Sequence, residues 1–290
     1  MKYFQSSIVL FLLLFFFSCN SDDHIDISQA SDLQAYVIRN ESYGAHNQQN
    51  MDVYLPAGRS MHRTPVMLVI HGGGWTGGDK ADMTPLVNVL SQRFPDMAIL
   101  NVNYVLGTEN HYAFPNQFYD MNLIMNHIRD HSQEWQISSN YFLLGVSAGA
   151  HIASLYSYSQ NLPQITGICN IVGPVDFTDP YYAQNPLYQG LLNFLIDPNS
   201  IPNDVSPSVY ISPVTHAHIG RTPTISFFGD ADPLVPISQK ERLEAALAQH
   251  NILHHSYSYH GDHSGIANAQ NFPVFLDRLE DFINHLDILP

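Results

Sequence analysis

The sequence predicts an α/β fold in which a mostly parallel central sheet is covered by helices on both faces. Segments with helical spacing alternate with mainly apolar runs, and that alternation is typical of parallel sheets whose strands are buried on both faces. The 290 residues, 45% of them hydrophobic, exclude a disordered chain, a collagen-like repeat, a coiled coil and a disulfide scaffold. The predicted buried strands are Val66–Ile70, Ala98–Val102, Tyr141–Val146, Gly167–Val172 and Thr224–Phe228.

The other elements follow in chain order. Alternating apolar residues predict two antiparallel strands, Ala35–Arg39 and Met51–Leu55, before the first buried strand, and a last strand is predicted over His254–Tyr259. Because the sequence contains no internal repeat or linker, residues 34–290 are predicted to form one domain. Helices are predicted over Met83–Phe94, over Phe118–Ile128, from Ala150 onwards, from Ser238 onwards with Glu241 completing a capping box, and over Phe272–Leu286.

The segment 176–221 is rich in Pro, Tyr and Asn and fits neither the helical nor the strand periodicity. We expect it to run as a long excursion above the sheet and to supply any lid. Its aromatic side chains are expected either to cover the sheet or to stack on a sugar or an aromatic acyl group.

The amino terminus is predicted to be a targeting signal and not part of the fold. Lys2 precedes ten apolar residues, Ile8–Phe17, which end in a small residue and Cys19. Ten apolar residues are too few to cross a hydrocarbon core but normal for a secretory signal. The segment resembles the signal of bacterial lipoproteins, which implies a signal peptide at 1–18, lipid attachment at Cys19 and a tether at 19–33. The protein would then be exported and anchored at a membrane surface, periplasmic or on the cell surface.

The charge balance limits the partners. Eleven Lys and Arg against 26 Asp and Glu give a net charge of −15, which disfavours nucleic acid, anionic lipid and polyanionic substrates as main partners because phosphate binding needs clustered cations. We expect a small-molecule or carbohydrate substrate, and the oligomeric state is not indicated. With Cys19 lipidated no disulfide can form, and Cys169 is predicted to be a buried structural residue because it lies in an apolar strand.

The first chemical motif is G-V-S-A-G at positions 145–149, between a predicted strand and a predicted helix. In that setting G-x-S-x-G forms a sharp turn that strains the central residue and exposes its hydroxyl. Ser147 is therefore a candidate nucleophile, and an ordinary tight turn is the alternative.

The second motif, H-G-G-G-W at positions 71–75, follows the strand Val66–Ile70. Consecutive glycines allow backbone N–H groups to point at a ligand oxygen, as an oxyanion hole requires. A phosphate-binding loop is the alternative, but no P-loop pattern follows. His71 is expected to order the loop, and Trp75 to pack or to form a wall of an acyl pocket.

Acidic and basic candidates come just after the last two strands. Asp230 and Asp232 follow Thr224–Phe228, and His260 and His263 follow the final strand. A carboxylate that orients an imidazole, which in turn activates a serine, is the arrangement of a hydrolytic triad. From the residues alone, Asp230 and Asp232 both remain possible acids, and either histidine can be the base.

The combined motifs resemble those of α/β-hydrolase serine esterases that carry H-G-G-G-W, related to the hormone-sensitive lipase-like and the feruloyl or acetylxylan esterases. The resemblance extends from about Met51 to the carboxyl end. The family patterns G-x-x-D-x-x-V-P and G-x-H-[GS] imply Asp232 as the acid and His263 as the base, with Asp230, Asp176 and His260 as alternatives. The resemblance also implies Ser147 as the nucleophile and an oxyanion hole formed by the N–H groups of Gly73, Gly74 and Ala148.

The prediction is a serine carboxylesterase acting on small carboxylic esters, with carbohydrate acetyl or feruloyl esters as candidates. An amide or peptide hydrolase of arylformamidase or aminopeptidase type and a non-catalytic binding protein on the same fold are the alternatives. No cofactor is implied. A metal site among His254, His255, His260 and His263 is disfavoured, because adjacent strand residues point to opposite faces and no H-E-x-x-H motif or cysteine pair is present.

Overall fold

The computed structural model describes residues 33–289, which contain an eight-stranded sheet. The predicted signal peptide, Cys19 and nearly all of the predicted tether lie outside the described residues. The strand order is β1-β2-β4-β3-β5-β6-β7-β8, and only the pairs β1–β2 and β2–β4 are antiparallel. The strands are β1 (Tyr36–Ser42), β2 (Asn50–Leu55), β3 (Val66–Ile70), β4 (Ala98–Val102), β5 (Tyr141–Val146), β6 (Ile165–Ile171), β7 (Thr224–Gly229) and β8 (His254–Tyr259).

The predicted α/β architecture is confirmed, and the strands are where the apolar runs place them. In β3, β4 and β5 every residue is buried or nearly so, because helices cover both faces. The register aligns Ile70 of β3 with Gly145 of β5, and Gly145 in turn with Asn170 of β6. The carboxyl ends of the central strands therefore meet at one edge of the sheet.

Two apolar layers hold the helices to the sheet. The helices are α1 (Lys80–Arg93), α2 (Asn116–Trp135), α3 (Ala148–Tyr158), α4 (Pro180–Ala183), α5 (Pro186–Leu195), α6 (Pro207–Tyr210), α7 (Pro213–Gly220), α8 (Ser238–Gln249) and α9 (Asn271–His285). One layer packs α1 and α9 against Met67 and Val69, and the other packs α2, α3 and α8 against Leu68 and Ile70.

Helix bounds differ from the predictions, most at the end of α2, which runs to Trp135 and not to Ile128. The first helix begins at Lys80 and not at Met83, because Asp79 caps it and accepts from the Ala81 N–H. The capping box predicted at Ser238 is wrong. Ile237 precedes α8, and the Ser238 hydroxyl instead donates to Asp179 Oδ2 at 2.6 Å.

The excursion 176–221 is mostly helical. It contains the short helices α4 to α7, each of which begins at a proline that follows Asp, Asn or Ser. Phe177, Tyr182 and Leu192 from this segment form an apolar cluster with residues of the main domain, including Leu155 of α3. The segment is thus packed against α3 beside the carboxyl edge of the sheet.

Two further observations concern membranes and thiols. Among residues 33–289, no helix has the length and apolar character needed to cross a membrane. Cys169 is fully buried in β6, and burial raises the pKa of its thiol, in agreement with the predicted structural role.

Candidate active site

Ser147 lies on a strained turn between β5 and α3. Its backbone has φ 54° and ψ −120°, a conformation that a residue with a side chain rarely adopts. The turn is held because the Ser147 N–H donates to the Ile171 carbonyl at 2.8 Å. A Cβ on Gly149 would lie 2.3 Å from the Ile70 carbonyl oxygen, so only glycine allows α3 to approach β3 this closely. The turn therefore presents the Ser147 hydroxyl at the carboxyl edge of the sheet.

A continuous chain of hydrogen bonds joins Ser147 to His263 and Asp232. His263 Nε2 lies 2.9 Å from Ser147 Oγ, and His263 Nδ1 lies 2.7 Å from Asp232 Oδ2. Because a carboxylate only accepts, Nδ1 carries the proton, and Nε2 of the neutral ring is left to accept from the serine hydroxyl. The three residues follow β5, β7 and β8, and the sheet brings them together although they are far apart in the sequence.

The Asp232 side chain is fully buried, and protein groups satisfy both of its oxygens. Oδ2 bonds His263, and Oδ1 accepts from the N–H groups of Leu234 and Val235 at 2.8 and 3.0 Å. Backbone donors and the imidazole therefore fix the orientation of the carboxylate.

The alternative acids and base do not reach Ser147. Asp230 and His260 bond each other at 3.1 Å on the surface, where the His260 side chain is 95% exposed. Asp176 bonds Arg242 at 2.6 Å through one oxygen and Thr178 through the other. Among the predicted acids and bases, the structure brings only Asp232 and His263 into the chain with Ser147.

The glycine loop after β3 supplies free backbone donors. Gly73 has φ 119°, and a Cβ there would lie 2.1 Å from the Gly77 carbonyl oxygen, so the loop requires glycine at this position. Within the described part of the chain, the N–H groups of Gly73, Gly74 and Ala148 donate to no backbone carbonyl. Gly73 and Gly74 line the same cleft as Ser147 and His263. Free donors beside a serine hydroxyl are what a developing oxyanion needs.

His71 anchors this loop. Its Nδ1 lies 2.6 Å from the Gly72 carbonyl, and its ring stacks on Tyr104 with centroids 4.3 Å apart. Burial lowers the pKa of His71, so the ring is neutral at neutral pH and Nδ1 can donate to the carbonyl. These contacts agree with the predicted ordering of the loop by His71.

Two clefts meet at Ser147. The His263 cleft, of about 480 Å³ and open to solvent, lies on the side of the imidazole and is lined by Leu86, Val146, Ile171, Ile266, Phe272 and Phe275. The aromatic cleft, of about 170 Å³, lies on the other side and is lined by Trp75, Phe177, Tyr182, Tyr188, Leu191 and Leu192.

Trp75 forms a wall of the aromatic cleft and, with Phe177 and Leu192, separates it from a small apolar cavity of about 30 Å³. Its indole Nε1 donates to His151 Nδ1 at 3.1 Å, and His151 Nε2 donates to the Ile211 carbonyl at 2.8 Å. Burial lowers the pKa of His151 to about 4. The sequence analysis missed this histidine, because nothing in its local pattern links it to Trp75. The cavity is lined by Trp75, Phe114, His151, Leu155, Leu192 and Ile211, among others.

A sheet of this order, with β2 reversed and a strained serine turn after β5, defines an α/β-hydrolase fold. Solved esterases share this architecture. A truncated carbohydrate esterase from gut microbiota superposes with a TM-score of 0.69 at 18% identity, covering 87% of this chain and 98% of that one. Esterase Est2 of Thermogutta terrifontis gives 0.68 at 18% identity, covering 88% and 93%. At these identities the likeness establishes the fold.

The chain belongs to the BD-FAE family, whose model matches residues 51–247. A Mycobacterium tuberculosis relative described as the probable carboxylic ester hydrolase LipM is 25% identical over 213 residues, which cover 68% of this chain and 48% of LipM. The chain spans about half the length of the curated relatives it matches.

Proposed function

We propose that this protein is a serine carboxylesterase that works through an acyl-enzyme on Ser147. The observation that carries the proposal is the unbroken chain of hydrogen bonds from buried Asp232 through His263 to Ser147. The relatives support the reaction class, since LipM is described as a probable carboxylic ester hydrolase and the similar solved structures are esterases.

In the proposed reaction, His263 Nε2 removes the hydroxyl proton as Ser147 Oγ attacks the ester carbonyl carbon. The N–H groups of Gly73, Gly74 and Ala148 hold the resulting oxyanion, and each such donor contributes about 3–4 kcal/mol in enzymes where one was removed. When the C–O bond breaks, His263 returns the proton to the leaving alcohol. Water, deprotonated by the same imidazole, then releases the acid from Ser147.

The two clefts are assigned to different parts of the substrate. Because His263 must reach the leaving oxygen, the alcohol part is assigned to the His263 cleft and the acyl part to the aromatic cleft. Trp75 and Tyr188 give the aromatic cleft ring faces suited to an acetyl group or to a flat aromatic acyl group such as feruloyl. The solvent-open His263 cleft leaves room for a carbohydrate alcohol, and the net charge of −15 favours a neutral substrate.

Hydrolysis of p-nitrophenyl acetate tests the proposal. We expect Ser147→Ala and His263→Ala to lower kcat by about 10⁴-fold or more, because a triad fails when either member is removed. His260→Ala is the matched control, because its exposed imidazole lies three residues away and bonds only Asp230, and it should keep the wild-type rate. An unchanged rate in Ser147→Ala would refute the serine mechanism.

A substrate panel tests the finer assignment. The enzyme should hydrolyse methyl ferulate and an acetylated xylo-oligosaccharide faster than it hydrolyses p-nitroanilides of the same acids. Faster turnover of the anilides would instead support the amide hydrolase. Ring stacking predicts that Trp75→Leu raises KM for ferulate more than for acetate.

We further propose that the protein is exported and anchored through a lipid on Cys19. The support is the cation, apolar run and cysteine of residues 2–19. In a bacterial host, labelled palmitate should be incorporated into the wild-type protein and not into Cys19→Ser. Equal labelling of both proteins would contradict the assignment.

A further inference from the structure

A second cluster of ionisable side chains lies where the edge strand β1 meets α2. His127 and His131 are one turn apart on α2, and their ring centroids are 4.0 Å apart. Glu41 of β1 faces them, with its Oε1 2.9 Å from His127 Nε2. One ligand atom from each of the three side chains fits within a span of 4.8 Å, and all three residues are partly buried.

Neighbouring groups already orient these side chains. His131 Nδ1 donates to the His127 carbonyl at 2.9 Å, which leaves His131 Nε2 with its lone pair. The His131 ring also stacks on Trp135 with centroids 5.0 Å apart. A backbone carbonyl that binds the second nitrogen of an imidazole is the usual support of a metal-binding histidine.

The cluster consists of one carboxylate and two imidazoles, a donor set without a fixed positive charge. The nearest cation on the helix, Arg129, is exposed and is bonded to Asp130.

We propose that Glu41, His127 and His131 bind a divalent transition-metal ion, with Zn²⁺ the best match. Two imidazoles and one carboxylate are a common zinc donor set, and water completes the fourth position. Tetrahedral ligands at about 2.0–2.1 Å lie roughly 3.3 Å from one another, so the present span of 4.8 Å must close by about 1.5 Å through side-chain rotation.

The ion would hold the fold together and take no part in ester hydrolysis. The second helix starts at the carboxyl edge of the sheet and runs back towards the opposite edge, where β5 begins. His127 is eleven residues after the start of α2, or about 16 Å along its axis at 1.5 Å per residue. The site is therefore displaced from the edge that carries Ser147, and it would fasten β1 to α2.

Zinc titration of the chelator-treated mature protein tests the proposal by calorimetry. We expect one Zn²⁺ per chain, with affinity about ten-fold or more weaker in His131→Ala and in Glu41→Gln, since each loses a ligand. Glu41→Gln retains an oxygen acceptor for His127, so it separates metal binding from folding. The control is His250→Ala, whose ring lies 5.6 Å from His218 in a histidine pair outside the proposed metal cluster, and its affinity should match wild type.

Two further readouts discriminate the site from random surface binding. Zn²⁺ should raise the Tm of the wild type and of His250→Ala but not of the two ligand variants. Co²⁺ should give the visible absorption of a tetrahedral site only where all three protein ligands remain. The proposal is overturned if the wild type binds no Zn²⁺, or if His131→Ala and Glu41→Gln bind it as tightly as the wild type.

Discussion

Acid should destabilise this protein through His151, the buried imidazole bonded to Trp75. Burial lowers its pKa to about 4, whereas an imidazole in an unfolded chain titrates near 6.5. As the pH falls below about 6.5, the unfolded chain takes up a proton that the folded chain does not accept until about pH 4. The stability that His151 contributes is therefore complete above about pH 6.5 and is lost as the pH falls towards 4.

The loss of stability follows from the difference between the pKa values of His151 in the unfolded and the folded chain. A difference of about 2.5 pKa units at 1.36 kcal/mol per unit corresponds to roughly 3 kcal/mol in the free energy of unfolding. That is a large part of the 5–15 kcal/mol by which domains are usually stable. No discount for solvent is needed, because the ring is buried and both nitrogens are bonded inside the protein.

Urea unfolding from about pH 7.5 to about pH 4 measures this contribution when the wild type is compared with His151→Gln. Glutamine does not titrate, yet its amide can accept from Trp75 and donate to the Ile211 carbonyl. The stability of the wild type relative to the variant should decrease by roughly 3 kcal/mol across this range. His62→Gln, at an exposed loop position, controls for the loss of a histidine. A difference between wild type and His151→Gln that stays constant with pH would refute the reasoning.

The remaining predictions concern the acid, the serine turn and a buried charge. Asp232→Asn should lower kcat on p-nitrophenyl acetate by about 10⁴-fold, whereas Asp230→Asn, the same change two residues away, should stay near wild type; equal losses would disprove the assignment of the acid. Gly149→Ala brings a methyl group within 2.3 Å of a β3 carbonyl oxygen and should cost roughly 3 kcal/mol, read as a lower Tm, and an unchanged Tm would contradict the close approach. Lys80→Met removes one of the two cations that pair with buried Asp52, and because Arg39 remains at 2.7 Å the change should cost about 2 kcal/mol in urea unfolding. Arg93→Met, at a more exposed pair, should cost less than about 1 kcal/mol, and similar costs would contradict a dependence on burial.

The sheet was predictable because burial on both faces leaves a simple pattern. The bounds of β3, β4, β5 and β8 agree with the apolar and alternating runs. The bounds of β6 differ from the prediction: the strand is predicted over Gly167–Val172 and observed over Ile165–Ile171. Backbone pairing with β5 extends β6 at its start, and that pairing leaves no mark in the side chains of the strand.

Helix starts depend on neighbours that the local sequence does not reveal. Ser238 and Glu241 have the spacing of a capping box, but the Ser238 hydroxyl donates to Asp179, the residue that caps α4. In the excursion 176–221 a usable signal was present. Each of its α-helices starts at a proline preceded by Asp, Asn or Ser, a common helix beginning.

The candidate site, like the fold, was predictable only in part. Motifs at strand ends pointed to Ser147, Asp232 and His263, because a parallel sheet gathers the carboxyl ends of its strands. The bond between Trp75 and His151 joins residues far apart in the sequence and was not predictable. His127 lies on the predicted helix Phe118–Ile128, but His131 lies beyond its predicted end, and Glu41 joins the cluster only because β1 lies beside α2.

The indole of Trp75, together with Phe177 and Leu192, lies between two spaces. On one side is the space assigned to the acyl group, and on the other is a small apolar cavity of about 30 Å³. Replacing Trp75 with a small residue would join the two spaces into one tunnel, leaving His151 Nδ1 without its donor. A single substitution at Trp75 is therefore expected to shift the substrate preference towards longer acyl chains and to leave the triad unchanged.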